Sequence, residues 1–576
     1  MSQETKQHLT RREFLKETAK VLTVSMAAQA LPGLAGVKAA DAAAFPARPN
    51  LLFLITDQER YPRNWPDGWA SANLNKARKR LMDNGLDFSR AFCSASMGSE
   101  SRGSLFTGLY PPQHGVVLTL TEDGENSPNE PTLSPDLRNL GNMLAESGYD
   151  VQLRGKWHLS KSADGHCPTS QDLAGFGFNG WVPTEAGQYL TADTFGGGCA
   201  DEDQVIVDQA IAYLQTQTPA ATQTRPFCLV VSLANPHEIL AYPKVINDES
   251  CPQSYNDTAN FALGISLPGS LGDNLDTKPH VQTEAKALYA YGLGLLDDAA
   301  KQLNYVNFYA YLQTIVDSQL DSILQTLQDQ GLTGATLVVR TADHGELGLS
   351  HAGLRQKMFN VYEECLNIPL IFSNPTLFPT ARATPAYATL VDVVPTIASL
   401  CGVPKWKWTY LPGQDLSPVL LGTSPKVQDT ILFTFDDEYA GLSGKPPFIT
   451  EPCHIRCIIT TDDDGEWKYA RYFDPEGAAD TVHEMYRLKD ASGNPADALE
   501  MDNLADSSSP NYATYEAKRA ELDALLLQVE AQRLAPATPP GAPLGGPNLL
   551  LLGAGPEHAV PGRGQGAVSS GPGRSA

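Results

Sequence analysis

Short apolar runs separated by stretches of helical spacing dominate the chain from residue 50 to about residue 400. Asn50-Leu-Leu-Phe-Leu-Ile-Thr56 is a continuous apolar run closed by Asp57-Gln58, the pattern of a buried parallel strand that ends at a polar edge. The pattern recurs at Asp150–Arg154, Pro226–Leu233, Thr336–Arg340 and Ile368–Phe372. Helical spacing fills Leu74–Met82, Leu137–Glu146, Gln204–Thr216, Tyr305–Gln330 and Leu390–Leu400. Alternation of this kind predicts an α/β fold, a large and mostly parallel sheet flanked by helices. From about Thr430 the runs become shorter and β-rich, at Ile431–Phe435, Ile455–Thr460 and Trp467–Tyr472, and a helix follows over Ala513–Arg533. That half of the pattern predicts a small C-terminal antiparallel α+β domain.

Both ends depart from these patterns. Thr10-Arg-Arg-Glu-Phe-Leu-Lys16 precedes a moderately apolar run from Val21 to Val37 and then Ala-rich sequence to Ala44. The order reads as a cleavable export signal of the twin-arginine type, too weakly apolar for a stable membrane span. It implies the twin-arginine export machinery as a partner and a periplasmic or extracellular destination. Residues 535–576 are rich in Ala, Pro and Gly and read as a disordered tail. The resulting division is 1–44 signal, 45–428 large domain, 429–534 small domain and 535–576 tail. Within the large domain, 239–285 is rich in Pro, Asn, Asp and Gly and reads as an insertion or lid.

A net charge of −24 disfavours nucleic acid and anionic membrane as partners, so an anionic ligand needs a locally basic pocket. Nine scattered cysteines without a CxxC pair exclude a disulfide-framework domain and a zinc ribbon. Cys453 and Cys457 are near enough in sequence to pair where geometry allows; buried free thiols are the simpler reading for the rest. Oligomeric state leaves no trace in the sequence.

The candidate chemistry lies where the apolar runs stop: Asp57 and Gln58, Lys156 and His158, His237, Asp343 and His344, with Lys357 just beyond. Two carboxylates, an amide oxygen and an imidazole suit one divalent cation. Arg102, Lys156 and Lys357 with two further imidazoles suit a tetrahedral oxyanion. Arg102 belongs to a Ser/Gly-rich stretch, Phe92–Pro111, that runs into a helix N-terminus able to hold an anion.

These segments together resemble the type I sulfatases of the alkaline phosphatase superfamily over about residues 48–505. The resemblance is carried by Thr56-Asp-Gln58, Ser101-Arg-Gly-Ser-Leu-Phe-Thr-Gly108, Gly155-Lys-Trp-His-Leu159, Asn235-Pro-His237, Thr341-Ala-Asp-His-Gly-Glu346 and His351-Ala-Gly-Leu-Arg-Gln-Lys357. Gln58 and His344, in place of the commoner Asp and Asn, resemble the branch that includes phosphonate and phosphate ester hydrolases. The resemblance implies a divalent metal on Asp57, Gln58, Asp343 and His344, calcium by family habit or manganese by the imidazole. It implies binding of a small anionic ester, and charge stabilisation, by Arg102, Lys156, His158, His237 and Lys357.

The family's formylglycine is made from a Cys or Ser four residues before the arginine, with a proline two residues before it. Here Gly98 and Glu100 hold those positions. Glycine has no side chain to oxidise, so formylglycine is not possible at Gly98. Three accounts stand open: Ser99, and after it Ser101, as a metal-activated nucleophile; a water activated directly; or an anion-binding protein without turnover. The expected function is an exported, metal-dependent hydrolase of sulfate esters or of related phosphate or phosphonate esters. A non-catalytic binder of sulfated ligands is the alternative.

Overall fold

A computed structural model describes residues 45–537 except 68, 70–75, 122–129, 184, 186–201, 245–260 and 443. The expected signal, residues 538–576 of the tail and the middle of the 239–285 insertion lie outside the described residues. Seven strands form the main sheet: β1 (Asn50–Asp57), β2 (Gly85–Phe92), β3 (Asp150–Gly155), β4 (Phe227–Pro236), β5 (Thr336–Ala342), β6 (Leu370–Ser373) and β7 (Arg382–Thr389). Their order is β3-β4-β1-β5-β6-β2-β7, and β6 alone runs against the others. The sheet is mostly parallel, as the alternation predicts.

β1 is the axis of the sheet. It is buried over its whole length and pairs in parallel with β4 on one side and β5 on the other. An unbroken apolar run suits that position, because both faces of the strand must be covered. Leu51, Phe53 and Ile55 enter the larger core cluster, while Leu52 and Leu54 enter a second one on the opposite face. The second face is closed by α1 (Lys76–Asp83), α2 (Glu202–Gln215) and α3 (Ala299–Asp329). Alternate side chains of one strand thus hold two layers of helix and loop against the sheet.

The C-terminal sheet is antiparallel in the order β11-β10-β9-β8, with β8 (Thr430–Phe435), β9 (His454–Asp462), β10 (Gly465–Phe473) and β11 (Val482–Asp490). Helix α4 (Glu516–Arg533) lays Leu522, Leu526 and Val529 against Ile458, Trp467 and Tyr469. Ile431, Phe433, Ile455 and Tyr472 share a core cluster with Leu51 and Phe53 of β1. The boundary expected at 428/429 therefore separates two sheets built on one continuous core.

Sequence spacing misses strands whose polar residues are buried in pairs. In β2, Asp87 binds Arg78 at 2.8 Å, and Arg90 forms ion pairs with Glu363 and Glu466. In β7 the first four residues are largely solvent-facing and include Pro385, which an edge strand tolerates. The insertion also carries regular structure at its end: a 14-residue helix, His280–Leu293, begins within it. The seven described cysteines are free thiols, Cys453 and Cys457 among them. No described helix is long and apolar enough to cross a membrane.

Candidate functional site

The carboxyl ends of the adjacent strands β3, β4, β1 and β5 converge on one point, and the end of β2 leads to it through the Cys93–Met97 loop. Parallel strands point their carboxyl ends to one edge, so residues placed just after each apolar run meet there. Asp57 comes from β1, Asp343 and His344 follow β5, Lys156 and His158 follow β3, and His237 follows β4.

Asp57, Asp343 and His344 are fully buried and bring one ligand atom each to within 4.8 Å of one another. Asp57 Oδ1 and His344 Nε2 lie 3.6 Å apart, and neither has a hydrogen-bond partner among the described residues. Two such buried atoms facing each other are costly unless something binds them, and a cation satisfies both. Carboxylate oxygens with one imidazole fit a hard or borderline divalent ion. His344 Nδ1 lies 3.0 Å from the Gly345 carbonyl and donates to it, which turns the lone pair of Nε2 toward the cluster. Gln58 is beside them with its backbone N–H donating to Asp343 Oδ1 at 3.0 Å. Its side-chain oxygen accepts from Lys357 Nζ at 2.5 Å, and its amide nitrogen donates to Glu346 and to Gln356 Oε1.

Arg102 stands behind the carboxylates rather than in the open cleft. Its Nε donates to Asp343 Oδ2 at 2.9 Å, and its terminal nitrogens donate to Asp57 Oδ2, the Lys156 carbonyl and Ser232 Oγ. Lys156 Nζ approaches the same Asp57 Oδ2 at 2.9 Å. Burial alone would raise the Asp57 pKa, but Lys156, His237, Arg102 and His344 hold it well below the usual carboxylate range. Burial pushes the Lys357 ammonium down to about 8 against the pull of Asp57. His237 is held well below the ordinary imidazole value by burial and by Lys357.

His158 Nε2 lies 2.7 Å from the Leu120 carbonyl, which makes it the protonated nitrogen and leaves Nδ1 as the acceptor. Burial, then the charge of Lys156, depress its pKa well below the ordinary value, so the ring is neutral. Glu185 holds this segment by accepting the backbone N–H groups of Trp157 and His158 at 2.5 and 3.0 Å.

The helix Gly98–Thr107 begins at the cluster. A Cβ placed on Gly98 would lie 3.4 Å from His158 Nδ1 and 3.8 Å from both Asp343 Oδ2 and His344 Nε2. Position 98 therefore faces both His158 and the carboxylate–imidazole cluster at ordinary contact distance. Ser99 Oγ accepts from the Leu120 N–H at 3.0 Å, and Ser101 Oγ donates to the Asp343 carbonyl at 2.5 Å. Glu100 is buried on the far side of the turn and accepts from Thr119 Oγ1 at 3.1 Å. Burial and the neighbouring Asp437 raise its pKa well above normal, which removes the charge that would repel an anion.

A cavity of about 200 Å³ opens onto Asp57, Gly98, Lys156, His237, Gln356 and Lys357. Sequence reasoning located the strand-end residues and missed Glu185 and Glu346, which position them. Glu346 accepts from Tyr305 at 2.8 Å and from the Gly348 and Gln356 N–H groups at 3.0 Å, in addition to Gln58. The signal available for both was a buried acid near a backbone turn, which spacing does not reveal.

A parallel-dominated α/β sheet thus brings two buried carboxylates and an imidazole, a candidate cation site, together with buried lysines at one carboxyl edge. The family model described as Sulfatase matches residues 49–403. The uncharacterized sulfatase YidJ of Escherichia coli (strain K12) is 25% identical over 481 residues, covering 80% of this chain and 88% of its own length. A Delta 4,5-hexuronate-2-O-sulfatase of Bacteroides thetaiotaomicron is 25% identical over 454 residues, 76% of this chain and 81% of its own. A solved 2-O GAG sulfatase superposes with a TM-score of 0.60 at 21% identity, covering 84% of this chain and 93% of that one. The chain belongs to the sulfatase family, within the alkaline phosphatase superfamily.

Proposed function

We propose that this protein is an exported hydrolase of sulfate esters that uses a divalent metal and takes its nucleophile from water at Gly98. The observation that carries the reading is the position of residue 98, whose missing side chain would stand between the acceptor nitrogen of His158 and the Asp343–His344 pair. Asp57, Asp343 and His344, with the amide oxygen of Gln58, would hold calcium or manganese. When bound there, the metal would supply Lewis-acid chemistry.

The protein's own groups do the rest. His158 Nδ1 takes the proton of a water as its oxygen attacks sulfur. The S–O bond to the alcohol breaks, and the departing oxygen takes a proton from the Lys357 ammonium, whose pKa near 8 suits that transfer. Lys156 and His237 face the ester oxygens, while Arg102 fixes Asp57 and Asp343 from behind. The segment Thr10–Lys16 addresses the chain to the twin-arginine machinery, and through it to the periplasm or beyond.

The same glycine favours a second reading, a non-catalytic protein that binds sulfated ligands. Turnover of aryl sulfate, phosphate monoester, phosphate diester and phosphonate, with calcium or manganese and after chelation, separates the two. Metal-dependent release of sulfate is expected. Sulfate binding with no turnover of any ester in either metal would refute the enzyme. Ser99 is the competing nucleophile. Ser99→Ala should leave the rate within a few-fold of wild type if water attacks, and should abolish both turnover and a mass-detectable adduct if Ser99 does.

A further inference from the structure

The cavity over the charged floor has walls of a different chemistry. Among the described residues they consist of Met97, Leu240, Leu288, Leu293, Met358 and Leu442, with small residues between them. Leu288 and Leu293 come from the C-terminal half of the helix His280–Leu293, and Leu442 comes from the loop that follows β8. Leu442 stays 47% exposed at the mouth, where an apolar side chain gains nothing from water.

Few polar atoms interrupt these walls, and among the described residues the buried ones without a partner, Asp57 Oδ1, Gln356 Nε2 and His237 Nδ1, lie at the charged end. Tyr289 Oη accepts from the Met358 N–H at 3.2 Å, and Thr119 Oγ1 donates to Glu100 at 3.1 Å. Gln356 shares its oxygen between Gln58 Nε2 and Lys357 Nζ, so it belongs to the head-group end. A sugar ring brings several hydroxyls into a site, and each one left without a partner forfeits its hydrogen bonds to water. Walls of leucine and methionine instead reward apolar surface.

We infer that the alcohol half of the ligand is apolar, an alkyl or aryl group lying along these walls with its anionic head on Lys156, His237 and Lys357. The inference rests on the anion-ester reading of the floor and adds the identity of the group attached to it.

The test is calorimetric titration of the full chain with straight-chain alkanesulfonates from methane- to hexanesulfonate, with calcium or manganese present. Benzenesulfonate forms an aryl arm and glucose 6-sulfate a sugar arm. Affinity should rise about fourfold with each added CH₂, and glucose 6-sulfate should bind more weakly than hexanesulfonate. Benzenesulfonate binding more tightly than hexanesulfonate would assign an aryl group, and the reverse an alkyl chain. Leu288→Asn and Leu293→Asn, checked for a cooperative unfolding transition, should reduce the gain per CH₂ to less than twofold. A flat chain-length series, or tighter binding of glucose 6-sulfate, would overturn the inference. If no anion binds, the floor reading fails by itself. Hexan-1-ol, titrated alone, then reports on the walls: its binding supports them as apolar, and its failure to bind refutes that too.

Discussion

His351 offers a direct check on the buried electrostatics of the fold. Its ring is fully buried, stacked 3.4 Å from Tyr362, with Nδ1 2.9 Å from Asp273 Oδ2 and Nε2 3.5 Å from Glu364 Oε2. Glu500 is close enough to act on it as well, and Lys278 lies 3.7 Å from the same Asp273 carboxylate. Burial lowers the imidazole pKa, but Glu364, Asp273 and Glu500 overcome it and raise the value from 6.5 to about 9. A shift of that size corresponds to roughly 3 kcal/mol of stability. Because the folded-state pKa exceeds the unfolded one, the contribution is fully present below pH 6.5 and disappears as the pH rises through about 9. Glu364, held down at about 2, titrates far outside this window, whereas burial raises Glu500 to about 7, inside it.

The perturbation is His351→Asn, since His351 has φ 50° and Asn accepts a left-handed backbone. Urea unfolding followed by tryptophan fluorescence at pH 6, 7.5 and 9.5 gives the stability of each form. The variant is expected to be less stable throughout, because Asp273 and Glu364 lose their cation. The gap to wild type should narrow by roughly 3 kcal/mol between pH 6 and pH 9.5. A gap that stays constant across that range would show that the imidazole is neutral in the folded protein, and the account of the cluster would fail.

Two further expectations concern the helix that starts at the site. Glu100→Gln should stabilise the protein at neutral pH, because burial and Asp437 raise the Glu100 pKa and its ionised form is disfavoured in the fold. The gain should shrink to nothing as the pH falls through the ordinary carboxylate range, and a pH-independent difference in melting temperature would contradict it. Gly98→Cys combined with Glu100→Pro, produced alongside a formylglycine-generating enzyme, should raise sulfatase turnover at least tenfold. The new Cβ meets its neighbours at 3.4 Å or more, and Ser101 is the first residue of the helix whose N–H reaches back to an acceptor, Met97. Proline at position 100 therefore removes no intrahelical bond. An aldehyde detected by mass spectrometry without a gain in rate would place the fault elsewhere in the pocket.

What the sequence reveals and what it hides follow from one physical distinction. Strands β1, β4 and β5 are legible because both faces are covered, so apolar residues run unbroken and the first polar residue marks the edge. Asp57, Gln58, His237, Asp343 and His344 are found by that rule. Strand β2 is hidden because Asp87 and Arg90 interrupt it, and their partners Arg78, Glu363 and Glu466 are brought to them only by tertiary structure. Glu185 and Glu346 are hidden for the same reason, since each is defined by the backbone groups it accepts. Arg102 was legible as a cation. That it braces two carboxylates from behind, rather than facing the ester, depends on geometry.

The charge balance of the floor explains why these buried acids matter to binding. Asp57, Asp343, Glu185 and Glu346 are four carboxylates, set against the three cations Arg102, Lys156 and Lys357. The floor alone therefore carries a net charge of −1. Burial raises the pKa of Glu185, and its protonation brings the balance only to zero. Neither state attracts a sulfate ester strongly, in a chain whose overall charge of −24 already repels it. A divalent cation on Asp57, Asp343 and His344 changes the floor to +1 or +2, in a dry site where each unit of charge counts for more than it would in water. Metal loading and anion affinity would therefore be linked in the proposed site, each strengthening the other by the same factor. On the proposed reading, the carboxylates that offset the lysines would recruit the charge that lets the lysines bind.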